Sequence, residues 1–209
     1  MIRILLADDH LMFREGLKQI LGRCADFAVT AEAANGQEAL DLVRAQRFDV
    51  VVLDISMPLR SGFDVLGEIR IEQPEMPVLV LSMHPEDQYA VRVLKAGAAG
   101  YLTKESAADE LIAAIRKVAG GGRYVTSTLA EKLADALATQ GAIGDHRELS
   151  NREFQVLVML ARGRMLREIA DELLISEKTV TTYRARILEK LGVRNNAELA
   201  KYAIEHDLL

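Results

Sequence analysis

The sequence predicts a doubly wound α/β domain with a parallel five-stranded sheet, followed by a small all-helical domain. Three observations predict it. Short apolar runs alternate with segments of helical period through the first half. Acidic residues recur just past the ends of those runs. After GGGR at 120–123 the strand signal stops and helix-capping signatures take over.

The elements follow in order. Ile2–Ala7 reads as the first strand, with a helical pattern after it through Leu21. Ala28–Ala33, Val50–Leu53, Val78–Leu81 and the brief Ala99–Leu102 read as further strands. Helix-period segments lie between and after them at 36–46, 63–71, 87–96 and 107–119. The central runs are apolar throughout rather than alternating, as strands covered on both faces must be. Strands interleaved with helices favour a parallel sheet, whose functional crevice lies at the C-terminal strand ends. Beyond the glycines, Leu129, Leu133, Ala136 and Leu137 have helical spacing, so the stretch Thr126–Thr139 is expected to be partly helical.

The second half begins near 146. Ser150 and Glu153 have capping-box spacing ahead of an apolar face formed by Phe154, Leu157, Leu160 and Ala161. A short helix is expected around Leu166–Leu173, and Ser176 can cap a longer one that ends at Leu191 before Gly192. Asn195 and Glu198 repeat the capping logic for a last helix. The expected division is a first domain over 1–123, a linker over 124–145 and a second domain over 146–209.

Composition narrows the classes. The 209 residues are 50% hydrophobic and 27% charged, an ordinary globular balance. The apolar runs are far too short to span a bilayer, and two aspartates by position 9 interrupt any signal-peptide core. The single cysteine, Cys24, excludes an intramolecular disulfide and fits a reducing compartment; the expected location is the cytoplasm, with no membrane partner. Net charge is −5, divided as −4 over 1–123, −2 over the linker and +1 over 146–209. Within 178–194, Lys178, Arg184, Arg186, Lys190 and Arg194 face only Glu189. A basic stripe on a neutral domain is the footprint of a nucleic-acid reader.

Asp8 and Asp9 follow the first strand and Asp54 follows the third, so the sheet brings three carboxylates together. Such a cluster repels itself unless a cation neutralises it, and oxygen ligands with open positions suit Mg²⁺. Ser82 and Lys104, at the ends of the fourth and fifth strands, add a hydroxyl and an ammonium. These are the parts needed to bind a phosphoryl group and pass it to a carboxylate. The charge of Lys104 is expected to be needed once that group arrives.

ADDH at 7–10, VVLDISMP at 51–58, LS at 81–82 and GYLTK at 100–104 resemble the receiver domain of two-component response regulators, a flavodoxin-like fold. The resemblance implies that Asp54 is the phosphoacceptor and that Asp9, Asp54 and the Ser56 main-chain carbonyl bind Mg²⁺, with Asp8 acting mainly through water. It implies that Ser82 and Lys104 hold the phosphoryl oxygens and that Tyr101 is the aromatic switch; an ordinary strand-end aromatic is the competing reading of Tyr101. The donor would be a sensor histidine kinase or a small acyl phosphate. Glu105 stands where many receivers carry a proline, which excludes a cis-proline at that bond.

LSNREFQVL, REIADELLISEKTV and ILEKLGV are similar to the helix-turn-helix of the LuxR/FixJ/NarL regulators. Val180, Ile187, Leu188 and Leu191 make a packing stripe, while Lys178, Thr181, Thr182 and Ala185 share another face. The resemblance implies that Thr181, Thr182 and Ala185 meet base edges. Lys178, Tyr183, Arg184, Arg186 and Lys190 would meet the phosphate backbone of promoter DNA. Met165, Leu166 and Leu174 depart from the family pattern. They are expected to repack within the domain, the alternative being an exposed apolar patch. The combined expectation is a phosphorylation-controlled transcription regulator that dimerises when phosphorylated. Two rivals are a phosphohydrolase acting on external substrates, which would often carry a second Asp where Ser56 stands, and a phosphorylation-independent DNA-binding protein with a vestigial pocket.

Overall fold

A computed structural model describes residues 1–83, 86–126, 129–130, 146, 149–206 and 208–209, with the backbone alone at 86–88. The chain divides into two compact units, Met1–Asp135 and Ala136–Leu209. Most of the expected linker helix, 131–139, lies outside the described residues.

In the first unit the strands are β1 (Ile2–Ala7), β2 (Phe27–Ala33), β3 (Val50–Leu53), β4 (Val78–Ser82) and β5 (Gly100–Thr103). The helices are α1 (Leu11–Leu21), α2 (Gly36–Ala45), α3 (Gly62–Glu72), α4 (Glu86–Lys95) and α5 (Ala108–Ala119). Among the described residues the strands form one parallel sheet in the order β2-β1-β3-β4-β5. Ile4, Leu6, Val50, Val52, Leu79 and Leu81 pack with Leu17 and Leu21 of α1 and with Leu111, Ile115 and Val118 of α5. The intervening Leu5, Val51, Leu53 and Val80 are equally buried. Since successive side chains point to opposite faces, that burial requires cover on both sides of the sheet.

The order in which strands are added reverses between β1 and β3, and register fixes what emerges there. Ala7 pairs with Leu53, so Asp8 and Asp54 leave the sheet side by side. Ser82 pairs with Thr103, so Lys104 emerges one residue beyond Ser82. The loop after Asp54 is held tightly: the Gly62 amide donates to the Ile55 carbonyl at 2.9 Å. A Cβ on Gly62 would stand 2.1 Å from the Asp54 carbonyl oxygen, so only glycine fits. In the same loop Leu59 adopts φ 65°, a left-handed conformation that is costly for a side chain bearing Cβ.

The second unit holds α6 (Asn151–Ala161), α7 (Leu166–Leu173), α8 (Glu177–Leu191) and α9 (Asn196–Glu205). The caps are those the sequence signals. Ser150 and Glu153 form a reciprocal capping box, Ser176 accepts from the Thr179 amide, and Asn195 accepts from the Glu198 amide. Gly192 ends α8 in the left-handed region, and so does Leu174 at the end of α7. Phe154, Leu157, Ile169, Val180, Ile187, Leu191 and Leu199 form the buried interior.

The expected repacking of Met165 and Leu174 does not occur. Met165 is 69% exposed and Leu174 56% exposed. They cap opposite ends of α7, and the left-handed turn at Leu174 aims its side chain away from the interior; Leu166 is half-buried. Exposure of Met165 and Leu174 is what the alternative, an exposed apolar patch, expected.

Candidate functional sites: an acidic pocket and a basic helix

The pocket is built at the ends of β1, β3 and β5. Asp8 and Asp54 are buried, while Asp9 lies at the exposed rim. Lys104, with a side chain only 3% exposed, places Nζ 2.6 Å from Asp8 Oδ2 and 2.7 Å from Asp54 Oδ2. Its ammonium also stands 4.8 Å from the centre of the Phe13 ring. The other Asp54 oxygen, Oδ1, accepts the Ser56 amide at 3.1 Å. Ser82 and Tyr101 are fully buried on β4 and β5, and the Ser82 carbonyl accepts the Lys104 amide at 2.8 Å.

The two buried carboxylates, Asp8 and Asp54, share the Lys104 ammonium. Burial pushes the Asp54 carboxyl above the usual carboxylate range; Lys104 pulls it down, and the neighbouring Asp8 adds to the rise. Burial alone would lower the Lys104 ammonium, but Asp54 and Asp8 outweigh it and hold the amine above its ordinary value. Lys104 is therefore held as a cation between the two buried carboxylates.

Asp8, Asp9, His10 and Asp54 bring ligand atoms within 4.8 Å of one another, an arrangement able to hold a metal ion. The sequence reading missed three neighbours: His10, Phe13 and Arg14. Arg14 is buried on α1 and donates from its guanidinium to the Asp8 carbonyl at 2.5 Å. A cation interrupting the apolar face of α1 was the available signal for Arg14, and direct adjacency to two aspartates was the signal for His10.

On the second unit, Lys178, Thr181, Thr182, Ala185, Arg186 and Lys190 are exposed along α8, while Tyr183 and Arg184 are half-buried. Ser176, Lys178, Thr179, Thr182, Tyr183 and Arg186 line a shallow concavity. The threonine hydroxyls donate back along the helix, Thr181 to the Glu177 carbonyl at 2.9 Å and Thr182 to the Lys178 carbonyl at 3.0 Å. Outward they therefore present methyl groups and lone pairs. Two of the basic residues are engaged within the domain. Arg184 Nε donates to Asn196 Oδ1 at 2.7 Å, and Lys190 Nζ donates to the buried Glu153 carboxylate at 2.7 Å. Burial would raise Glu153, but Lys190 and the Ser150 cap prevail and hold its carboxyl below the ordinary range.

Residues 4–116 match the response regulator receiver domain family, and residues 147–203 match the luxR family of bacterial regulatory proteins. The response regulator UvrY of Escherichia coli is 36% identical over 209 residues, covering 100% of this chain and 96% of its own. The transcriptional regulatory protein UhpA of Salmonella typhimurium is 44% identical over 200 residues, covering 96% of each chain. Among solved structures, a LuxR-family response regulator from Aurantimonas superposes with a TM-score of 0.61 at 34% identity, over 66% of this chain and 99% of its own. RcsB from Salmonella enterica serovar Typhimurium, bound to promoter P1flhDC in the presence of the phosphomimetic BeF₃⁻, superposes with a TM-score of 0.61 at 25% identity, over 96% of this chain and 97% of its own. With its acidic pocket at the strand ends and its exposed basic helix, the chain belongs to the NarL/FixJ family of two-component response regulators, joining a receiver domain to a LuxR-type DNA-binding domain.

Proposed function

We propose that Asp54 accepts a phosphoryl group from a sensor histidine kinase or a small acyl phosphate, and that this modification controls promoter binding through α8. The observation that carries the reading is the convergence of Asp8, Asp9, Asp54 and Lys104 at one point of the sheet. Its oxygen-rich donor set fits Mg²⁺, held by Asp9, Asp54 and the Ser56 carbonyl, with Asp8 reached through water. When bound, that ion neutralises charge on the incoming phosphoryl group.

The chain's own residues do the rest. The Asp54 carboxylate attacks phosphorus, and the donor's former bridging atom leaves with the bonding electrons. Lys104 then exchanges its contact with the carboxylate for one with the new phosphoryl oxygens, and Ser82 can turn its hydroxyl toward the same group. Rearrangement around Ser82 and the buried Tyr101 gives the domain two states whose populations the phosphoryl group shifts. The phosphorylated protein dimerises and places two copies of α8 on paired half-sites. Turnover is confined to self-phosphorylation and self-dephosphorylation in the cytoplasm, with no external metabolite as substrate.

Intact-mass measurement after treatment with an acyl phosphate tests this. Mass corresponding to one phosphoryl group should appear in the presence of Mg²⁺, vanish with a chelator and vanish in Asp54→Asn. Undiminished labelling of Asp54→Asn would overturn the assignment.

A further inference from the structure

His10 stands apart from the carboxylates and ammonium of the pocket because it supplies a nitrogen. It occupies the N-cap of α1, where Ser, Thr, Asp or Asn would satisfy an open amide, yet its side chain makes no cap hydrogen bond. The imidazole turns instead to the aspartates, with Nδ1 2.8 Å from Asp9 Oδ1 and 3.3 Å from Asp8 Oδ1. The His10 amide also donates to Asp8 Oδ1 at 2.8 Å, fixing the backbone beneath the ring. The ring is 61% exposed, so little packing fixes it.

We infer that His10 is a metal ligand that converts the receiver pocket from an all-oxygen site into a mixed nitrogen and oxygen site, able to bind Zn²⁺ or Ni²⁺ in competition with Mg²⁺. The inference rests on the reading of Asp9 and Asp54 as metal-binding residues. Two ligands of one ion at about 2.1 Å each lie at most about 4.2 Å apart. The four groups already lie within 4.8 Å, so a small rotation of the exposed ring closes the site. Imidazole nitrogen favours the later transition metals, whereas Mg²⁺ takes hard oxygen ligands and keeps its waters. His10 therefore adds affinity for Zn²⁺ or Ni²⁺ and almost none for Mg²⁺. Because both kinds of ion need Asp9 and Asp54, they exclude one another.

A competing role is positional: the ring orients Asp8 and Asp9 without touching the ion. The two roles differ in ion selectivity. Calorimetric titrations of the full chain with Mg²⁺ and with Ni²⁺ would be run on wild type, His10→Ala and His10→Asn, the last restoring a capping side chain. Histidine ¹⁵N spectra would be recorded alongside, with Zn²⁺ and with Mg²⁺. Ligation predicts that both variants lose at least about tenfold in Ni²⁺ affinity at the pocket while Mg²⁺ affinity changes less than about twofold. It also predicts that Zn²⁺ gives the His10 Nδ1 resonance the shift of a metal-bound nitrogen, that Mg²⁺, which only takes Asp9 from the ring, does not, and that excess Mg²⁺ reverses the Zn²⁺ shift. Parallel losses for both ions, or unchanged Ni²⁺ affinity, overturn the inference and leave the Mg²⁺ pocket standing. Failure of the wild type to bind Mg²⁺ at all overturns the pocket reading as well. Asp54→Asn identifies heat that arises from histidines elsewhere in the chain, since binding that survives it unchanged is not at this site.

Discussion

At the scale of single residues, the pocket is a balance of buried charge. Lys104 bonds both Asp8 and Asp54, and removing one partner of a buried pair costs on the order of 3 kcal/mol because the remaining charge has no compensation. Lys104→Ala should therefore unfold at lower urea in a chelator and recover stability when Mg²⁺ is added. It should still bind Mg²⁺ yet lose the DNA-binding response to phosphorylation; a urea midpoint indifferent to Mg²⁺ would contradict this account. On α8 the structure sharpens the choice of residue for separating base contacts from phosphate contacts. Arg184 is tied to Asn196, so its removal also disturbs the start of α9, whereas Arg186 is exposed on the concave face. Arg186→Ala should weaken binding to every duplex and reduce the log–log salt slope by about one unit. Thr182→Ala should leave that slope unchanged and alter sequence preference, since its methyl and lone pairs can meet only a thymine methyl or a donor edge. Titrations at several salt concentrations on a selected site and a scrambled duplex would decide; exchanged outcomes would mean that α8 is rotated from the assigned face.

At the scale of elements, the turn between α7 and α8 holds a residue in a conformation that suits glycine. Leu174 has φ 52° and ψ 45°, and its exposed side chain contributes little burial in return. Leu174→Gly should raise stability by about 1 kcal/mol, the relief of left-handed strain exceeding the chain entropy that glycine adds. Chemical denaturation monitored on the second unit would measure it, and a loss of stability would mean that the leucine side chain makes contacts worth more than the strain. The sequence hints at this strain, since related regulators often carry glycine in the turn where Leu174 stands. Most other element features were legible because one physical rule governs each. Apolar runs located every strand to within a residue, and in the central β3 and β4 the run is continuous because both sheet faces are covered. Capping spacing located the starts of α6, α8 and α9, as open amides need an acceptor. Side-chain pairing across elements was not legible: Glu153 with Lys190 and Arg184 with Asn196 depend on how helices cross, which no local pattern encodes. Asp8, Asp54 and Lys104 could be placed together because parallel register carries the end of one strand to the end of its neighbour. For His10 and Arg14 the sequence offers only proximity to the aspartates and a cation on an apolar helix face, while their contacts depend on where side chains turn after the strand has ended.

At the scale of the whole molecule, one chain presents one recognition helix, while control by phosphorylation requires that the modified protein bind DNA differently. Two physical routes exist: phosphorylation releases a helix that was masked, or it joins two chains into a two-fold dimer. They differ in how many phosphates the bound protein touches. The salt dependence of binding counts those contacts, because each neutralised phosphate releases counterions, at a slope of about −0.9 per contact. Release of a masked helix makes more protein competent and shifts affinity by the competent fraction, but each bound chain touches the same phosphates, so the slope is unchanged. Dimerisation doubles the contacts on a duplex carrying two half-sites and leaves them unchanged on a duplex carrying one. The dimer reading predicts that phosphorylation roughly doubles the log–log salt slope on the paired site, with little change of slope on the single half-site. The increase should vanish when the half-sites are moved half a helical turn apart, since a two-fold dimer can no longer face both. Titrations of phosphorylated and unphosphorylated full-length protein on these three duplexes would test it. A large gain in affinity at constant slope on the paired site would show that unmasking, not dimerisation, carries the signal from Asp54 to α8.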